Sequence, residues 1–422
     1  MKHSLSHLLL LSIVFVLLTS CGGTPAITGQ VPAATDELLA VATELPAPPA
    51  VILYDTTALA PMPADKIVSF GTNVPNGIAS NTGDGIGVTF YATDGLVLGE
   101  LRTPALAAGS PEITHIAGSY TGALDFPLVY YFTENGLGSL CVNQNGQTTT
   151  QVDVRDLIGM TGVPGQPILA YAILQPQTEG VLRTEVYLGD LANVPFAWPV
   201  LIYNSTESRT VIPVMIRAVD GVALGLWYTL RPWGIGGEIV FKPNEGLYYL
   251  ALQDQAVYEV LPREAAFSAL AQDQIWVAFW DKQGDGSDLT LRNISTGQEL
   301  ILTRLPDSDH GAGDAVFSTS NAVAWLEARG SLYDDTFSTT VRVANEEGTF
   351  QQDYPQSMFY KSAGLGDQVF VRPVGWLDEQ TFLVQVKARE KGGASTVVRV
   401  NIGSGEISAL APGIFVGFLH HP

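Results

Sequence analysis

The sequence predicts an all-β chain folded as a β-propeller, with seven four-stranded blades as the simplest count, and three observations predict it. Beyond residue 50 the chain is built from short runs in which apolar and polar residues alternate. A strand–turn–strand unit then recurs seven times at a spacing of about fifty residues. Finally, a strand of the innermost type is missing before the first unit, and one is left over after the last.

The alternation is plain in Leu289-Thr290-Leu291-Arg292, Val341-Arg342-Val343 and Val398-Arg399-Val400. Period two belongs to strands with one packed face. No long amphipathic helical pattern interrupts it. The repeated units lie at 87–101, 139–152, 200–214, 247–260, 289–302, 340–353 and 397–410. Each is read as the outer hairpin of a blade. A repeat of this size made of short strands indicates four-stranded propeller blades. Innermost strands are expected at 113–117, 168–173, 214–219, 266–270, 315–319 and 374–377, and second strands at 128–132, 223–230, 275–280, 322–327 and 382–387. The surplus strand, 414–419, then completes the blade begun near Gly87. A β-sandwich also spaces its strands regularly but does not repeat a four-strand unit. The count is open to six or eight, because the third and fourth units are irregular and the first is split.

Two kinds of segment carry a family resemblance. Ala266-Phe267-Ser268 and Val316-Phe317-Ser318-Thr319 resemble the start of the WD40-like repeat of TolB-type propellers. Asn293-Ile294-Ser295-Thr296-Gly297 and Asn401-Ile402-Gly403-Ser404-Gly405 resemble its outer turn. The Pro-Asp-Gly that usually follows the Phe-Ser is absent. The resemblance covers mainly residues 263–410 and implies the fold, with no function attached.

The ends read differently from the body. Lys2 and the apolar run 8–18 have the make-up of a secretory leader and are too short to span a membrane. The run ends in Leu18-Thr19-Ser20-Cys21, which resembles the bacterial lipobox. Residues 1–20 are therefore expected to be removed and Cys21 to carry lipid. Residues 21–50, dotted with Pro25, Pro32, Pro46, Pro48 and Pro49, read as a flexible tether, and 51–422 as the propeller. The expected location is the outer side of a membrane or the cell envelope, with the lipid on Cys21 making the contact.

The formal charge of −21 becomes one unit more negative once Lys2 is lost. Such a surface repels nucleic acid, which is bound through Lys and Arg. Only 15% of residues are charged, against ~25% in typical domains, which leaves ample apolar material for a large core. With Cys21 committed to lipid, Cys141 has no intrachain partner, so the fold is not a disulfide scaffold. In the strand-like run Ser139-Leu140-Cys141-Val142 it reads as a buried, inert thiol.

Chemistry is thinly signalled. His115 falls in an expected innermost strand and so is a candidate for the central channel. Arg217 and Asp220, in Met215-Ile216-Arg217-Ala218-Val219-Asp220, are the other candidates. A charge inside an apolar inner strand must be paired or wet, so these two are read either as a channel-lining pair that meets ligand or as a pair between blades. His420 and His421 follow the closing strand and are expected at a channel mouth. None of the histidine spacings is a metal motif, and no metal or cofactor is expected. The segment 281–288 has calcium-loop character but Gln283 and Arg292 stand where a loop of that kind needs acids, so it reads as a hairpin turn. No Gly-x-Ser-x-Gly elbow occurs, and paired-carboxylate catalysis is left undecided by 42 acidic residues. The tryptophans at 227, 233, 276 and 280 read as blade packing. The expected function is a non-enzymatic binding or scaffold module for an envelope protein, peptide or glycan; the alternative is a propeller hydrolase or lyase acting on extracellular polysaccharide.

Overall fold

The structure is a computed structural model. It describes residues 59–422 except 82–86, 103–111, 117–128, 135–138, 145–146, 154–156, 165, 167, 179–180, 191–199, 206–208, 233–240, 242–243, 284–285, 306–309, 331–335, 391 and 421–422. The expected leader, Cys21 and the tether lie outside the described residues. The only helical segments among the described residues are two short 3-10 turns, Ala64–Lys66 and Gln356–Met358.

Among the described residues the strands form mainly antiparallel sheets, five of four strands and one longer path that divides at a shared strand, and these resolve into seven four-stranded blades. Blade 2 is Glu112–Ile116, Val129–Glu134, Ser139–Gln144 and Gln147–Asp153. Blade 3 is Leu157–Gly162, Ile168–Thr178, Val181–Asp190 and Val200–Ser205. Blade 6 is His310–Phe317, Val323–Arg329, Ser338–Ala344 and Gln351–Pro355, and blade 7 is Val369–Trp376, Thr381–Ala388, Ser395–Asn401 and Ile407–Pro412. The protein is a β-propeller.

Blade 1 is assembled from both ends of the chain. Gly77–Asn81, Gly87–Ala92 and Val97–Arg102 supply three strands, and the C-terminal strand Ile414–Leu419 pairs antiparallel with the first of them. Val416 and Leu419 are buried with Ala79, Val88 and Phe90 of this blade. Phe415 and Phe418 turn the other way and pack with Leu383, Val397 and Leu410 of blade 7. One strand thus serves two packed layers, which is what its apolar run on both faces requires.

Blades 4 and 5 share a strand. Arg209–Val219, Val222–Pro232 and Glu245–Ala251 continue into the fifteen-residue strand Ala256–Leu270, whose first part closes blade 4 and whose second part opens blade 5. Trp276–Gln283, Gly286–Asn293 and Glu299–Leu305 complete blade 5. Pro262 sits in the unpaired stretch between the two partners: Leu261 pairs with Leu247 of blade 4, Ala266 with both Glu245 of blade 4 and Trp280 of blade 5, and the pairing then runs on along blade 5 to Leu270. A proline has no N–H to give to a ladder, so it fits this gap and would weaken a continuous central strand.

Cores lie between successive sheets. Blades 3 and 4 share Ala170, Val186, Val211, Leu226 and Tyr228. Blades 5 and 6 share Leu289, Leu291, Phe317 and Trp325, and blades 6 and 7 share Leu326, Val341, Val371, Phe382 and Val398. The Asn-initiated outer turns are alike in detail. Asn293 and Asn401 side chains accept the N–H of Thr296 and Ser404 at 3.0 and 2.9 Å, and Gly297 and Gly405 take φ of 72° and 70°. Glycine is favoured there because a Cβ strains that conformation.

Two expectations are corrected by blade 3. The 200–214 unit is no outer hairpin: Val200–Ser205 is the outermost strand of blade 3, and Arg209–Val219 is the innermost strand of blade 4. A polar link between two alternating strands has the same local composition whether it turns back or crosses to the next blade. The run 168–173 is accordingly a second strand. The innermost strand of blade 3 is Leu157–Gly162, whose Gly159 has Ile212 and Pro213 of blade 4 pressed against it, leaving little room for a side chain. The 281–288 segment is a hairpin, with Asp281 opposite Asp288 and Gln283 opposite Gly286.

Candidate functional site

Strands of blades 4 to 7 and the closing strand line an open cavity of ≈ 590 Å³. Blade 4 supplies Ile212, Pro213 and Val214, blade 5 Ala266, Phe267 and Ser268, and blade 6 the run 311–316. Arg372, Pro373 and Val374 of blade 7 and Phe415 of the closing strand complete the wall. The volume falls in the range of ligand pockets, roughly 300–1,000 Å³. Phe241 enters from the segment between the second and third strands of blade 4. It lies against Gly311 and Gly313, and a Cβ on Gly313 would stand 2.6 Å from its ring. The Gly-Ala-Gly stretch of the blade 6 inner strand therefore makes room for an inserted aromatic ring.

The polar groups of the wall fall into two sets. Most are tied into the fold. Ser268 Oγ accepts the Ala315 N–H at 3.0 Å, linking blades 5 and 6. Thr229 Oγ donates to the Gly246 carbonyl at 2.8 Å. Asp314, held at a left-handed φ of 51°, is 2.8 Å from Arg372 of blade 7. Arg231, at the end of the strand Val222–Pro232, is different. Its Nε and one Nη donate to Asn244 Oδ1 at 3.2 Å each, and among the described residues no carboxylate lies within salt-bridge distance. Burial alone pulls this guanidinium below its ordinary pKa. Arg342 shows the opposite condition: Asp353 and then Glu327 raise it against the cost of burial.

The residues expected from the sequence are placed apart from one another. His115 is in the first strand of blade 2, with its backbone opposite Phe132. Arg217 is buried, 4% exposed, and does not line the cavity. Its guanidinium lies 4.7 Å from the rings of both Phe70 and Tyr249 and 5.4 Å from that of Trp227. Its Nε donates to Gln274 Oε1 at 2.9 Å, and its Nη1 donates to the Lys66 carbonyl. Gln274 Oε1 also accepts the Trp227 indole N–H at 2.8 Å. Arg217 thus clamps the N-terminal segment 66–70 onto blades 4 and 5. Asp220 is exposed in the following turn at φ 48° and makes no pair with it, which corrects both versions of the expected ion pair. The strand ends at Val219, so Asp220 lies in the turn beyond it, away from Arg217.

His420 is a second correction. It is 8% exposed and set against Phe418, with Nδ1 buried and unpartnered, so it is not presented at a channel mouth. His421 lies outside the described residues. Burial lowers the His420 pKa from 6.5 to about 4, so the folded protein keeps it neutral where the unfolded chain protonates it. The unfolded state then binds more protons, and stability contributed by neutral His420 is complete above pH 6.5 and falls as the pH drops toward 4. The shift corresponds to roughly 3 kcal/mol. Denaturation at stepped pH should show wild type losing about that much more stability than His420→Gln between these limits. Parallel curves would show that His420 is not held neutral.

Among the described residues no group of three His, Cys, Asp or Glu side chains converges on a point where a metal ion could sit. The residues that build the cavity, Arg231, Asn244, Phe241, Asp314 and Arg372, carry no motif. A signal for part of it was present: Arg372 is a charge in the apolar strand Val369–Trp376, and Gly311 and Gly313 alternate on an inner strand.

No protein-family model and no curated protein matches the sequence. Solved structures are similar in fold. TolB from Acinetobacter baumannii matches with 15% identity over 66% of this chain and 63% of that one, TM-score 0.37. Oligopeptidase B from Leishmania major matches with 13% identity over 84% and 51%, TM-score 0.49. Oligogalacturonate lyase from Vibrio parahaemolyticus matches with 10% identity over 77% and 84%, TM-score 0.44. The matched region thus spans less than two thirds of the TolB and oligopeptidase B chains. The class, read from the sheets themselves, is the β-propeller, and these similarities concern the fold alone.

Proposed function

We propose that the protein is a binding module held on the outer side of a membrane by lipid on Cys21, and that it receives part of an envelope protein or peptide in its central cavity. The observation that carries this reading is the division of labour in the cavity wall. Ser268 and Asp314, side chains that could serve as nucleophile or base, are bound to Ala315 and Arg372 in the fold. The surfaces left open are mainly apolar, together with the Arg231 guanidinium and the Glu264 carboxylate. That is the make-up of a recognition pocket, largely apolar with a few placed polar groups.

The test uses the full chain in cells, with a photo-crosslinking phenylalanine at Ala266 in the cavity or at Glu347 on an exposed outer turn. A discrete envelope component should be captured from Ala266 and not from Glu347, and Cys21→Ser should leave the membrane fraction and lose labelled palmitate. Capture equal from both positions, or depolymerisation of an acidic polysaccharide by the purified chain, would replace the binding reading. Retention of the label by Cys21→Ser would remove the anchor from it.

A further inference from the structure

We infer that Arg231 is the recognition residue for a carboxylate, and that the ligand is the free C-terminal end of a peptide whose last residue is apolar. The inference rests on the reading of the cavity as the ligand site and adds the chemistry of what enters it.

The first ground is the state of Arg231. The chain has 42 acidic and 21 basic residues, so carboxylates are in excess wherever a guanidinium needs one. Other arginines take them: Arg209 pairs with Glu245 at 2.8 Å, Arg342 with Asp353 at 2.8 Å, and Arg372 with Asp314 at 2.8 Å. Arg231 has a neutral amide oxygen instead, at 3.2 Å. A partly desolvated guanidinium without a counter-ion is costly, and an entering carboxylate relieves that cost. The planar fork suits a carboxylate, which it meets with two parallel N–H donors. Among the described residues Nη1 has no protein partner, and it is not one of the sealed-off polar atoms. Asn244 Oδ1 fixes the plane of the fork by taking the two donors on its other side.

The second ground is the company Arg231 keeps. Ile212, Pro213, Phe267, Trp280 and Val374 line the same cavity. Thr229 donates to the Gly246 carbonyl, Ser268 accepts the Ala315 N–H and Asp314 is ion-paired with Arg372, so the polar groups of the wall are few, with Glu264 the other charged side chain on it. A carboxylate joined to an apolar side chain matches this wall, whereas a uronic acid, hydroxylated around its ring, does not.

Calorimetry on the full chain carrying Cys21→Ser tests this with four probes: acetyl-Ala-Ala-Leu as free acid, its amide, acetyl-Ala-Ala-Asp amide, and trigalacturonic acid. Wild type should bind the free acid at least tenfold better than the other three, a difference of about 1.4 kcal/mol. Arg231→Gln should lose that preference while leaving the weak binding of the amide unchanged, and Arg231→Lys should keep part of it. Should Arg231→Gln misfold, Asn244→Ala frees the fork and should weaken the free acid alone. Equal binding of acid and amide, no binding of the acid, or Arg231-dependent binding of trigalacturonic acid alone would each overturn the inference. The Ala266 cross-link reads the cavity independently: if it persists while the peptides fail, the cavity remains the site and only its ligand chemistry is wrong.

Discussion

A chain ending at Pro412 should fail to fold or melt at least about 10 °C lower than the intact protein, although only residues 413–422 are lost. Val416 and Leu419 are 3% and 0% exposed. Burying each is worth roughly 1.5–3 kcal/mol, and the half-buried Phe415 and Phe418 add about half as much apiece. The sum is a large part of a typical stability of about 5–15 kcal/mol. Polar contacts go too: Gln385 receives the Phe415 N–H at 2.6 Å and donates to the Gly413 carbonyl at 3.0 Å, and Asn76 N–H donates to the Leu419 carbonyl at 2.9 Å. Without the strand, Gly77–Asn81 becomes an uncovered edge, a template for aggregation. Thermal melts with light scattering read both effects. A chain ending at Pro412 that melts with the wild type would show that blade 1 stands without its inner strand. Ending the chain at Leu419 keeps the strand and removes only His420, His421 and Pro422, and this cut should cost far less.

Arg217→Met should destabilise the protein by about 3 kcal/mol or more and should loosen the segment 66–70 first. Hydrogen bonds to charged groups contribute about 1.5–3 kcal/mol each, and Arg217 makes two, to Gln274 and to the Lys66 carbonyl. Methionine keeps the apolar volume between Phe70, Trp227 and Tyr249 but leaves the Lys66 carbonyl without its donor. Hydrogen exchange should show faster exchange at Ile67, and at Phe70, whose N–H is bonded to the Asp273 carbonyl at 3.0 Å. Exchange unchanged at these amides, with stability intact, would mean that the segment is held by Ile67 and Met62 in the core alone.

These two regions also show how far the sequence could be read. The closing strand was legible because an apolar run at the very end of a repeating chain has no place except the blade that lacks one. Six of the seven repeated units are outer hairpins for a similar reason, since apolar alternation on both sides of a polar turn is what a hairpin needs. The unit at 200–214 has the same features and is a crossover, because pairing partners are chosen by the whole sheet and not by the link. Arg217 could be recognised as a charge that needed partners. Its partners are a backbone carbonyl 151 residues away and three rings from separate segments, and no spacing in the chain encodes them. Arg231 was invisible for the opposite reason. Polar residues at strand ends are commonplace on solvated edges, and only the assembled wall shows that this one faces a cavity with an amide oxygen as its partner.

The strand shared by blades 4 and 5 has a mechanical consequence. Ala60 and Pro61 lie parallel to its first part, opposite Tyr258 and Glu259, and Lys66 pairs with Asp254 just before it. If the chain is held at Cys21, a pull on the anchor enters the propeller here. It meets a doubled sheet bound by one continuous covalent backbone, so the load spreads across two blades instead of peeling one strand from a single edge.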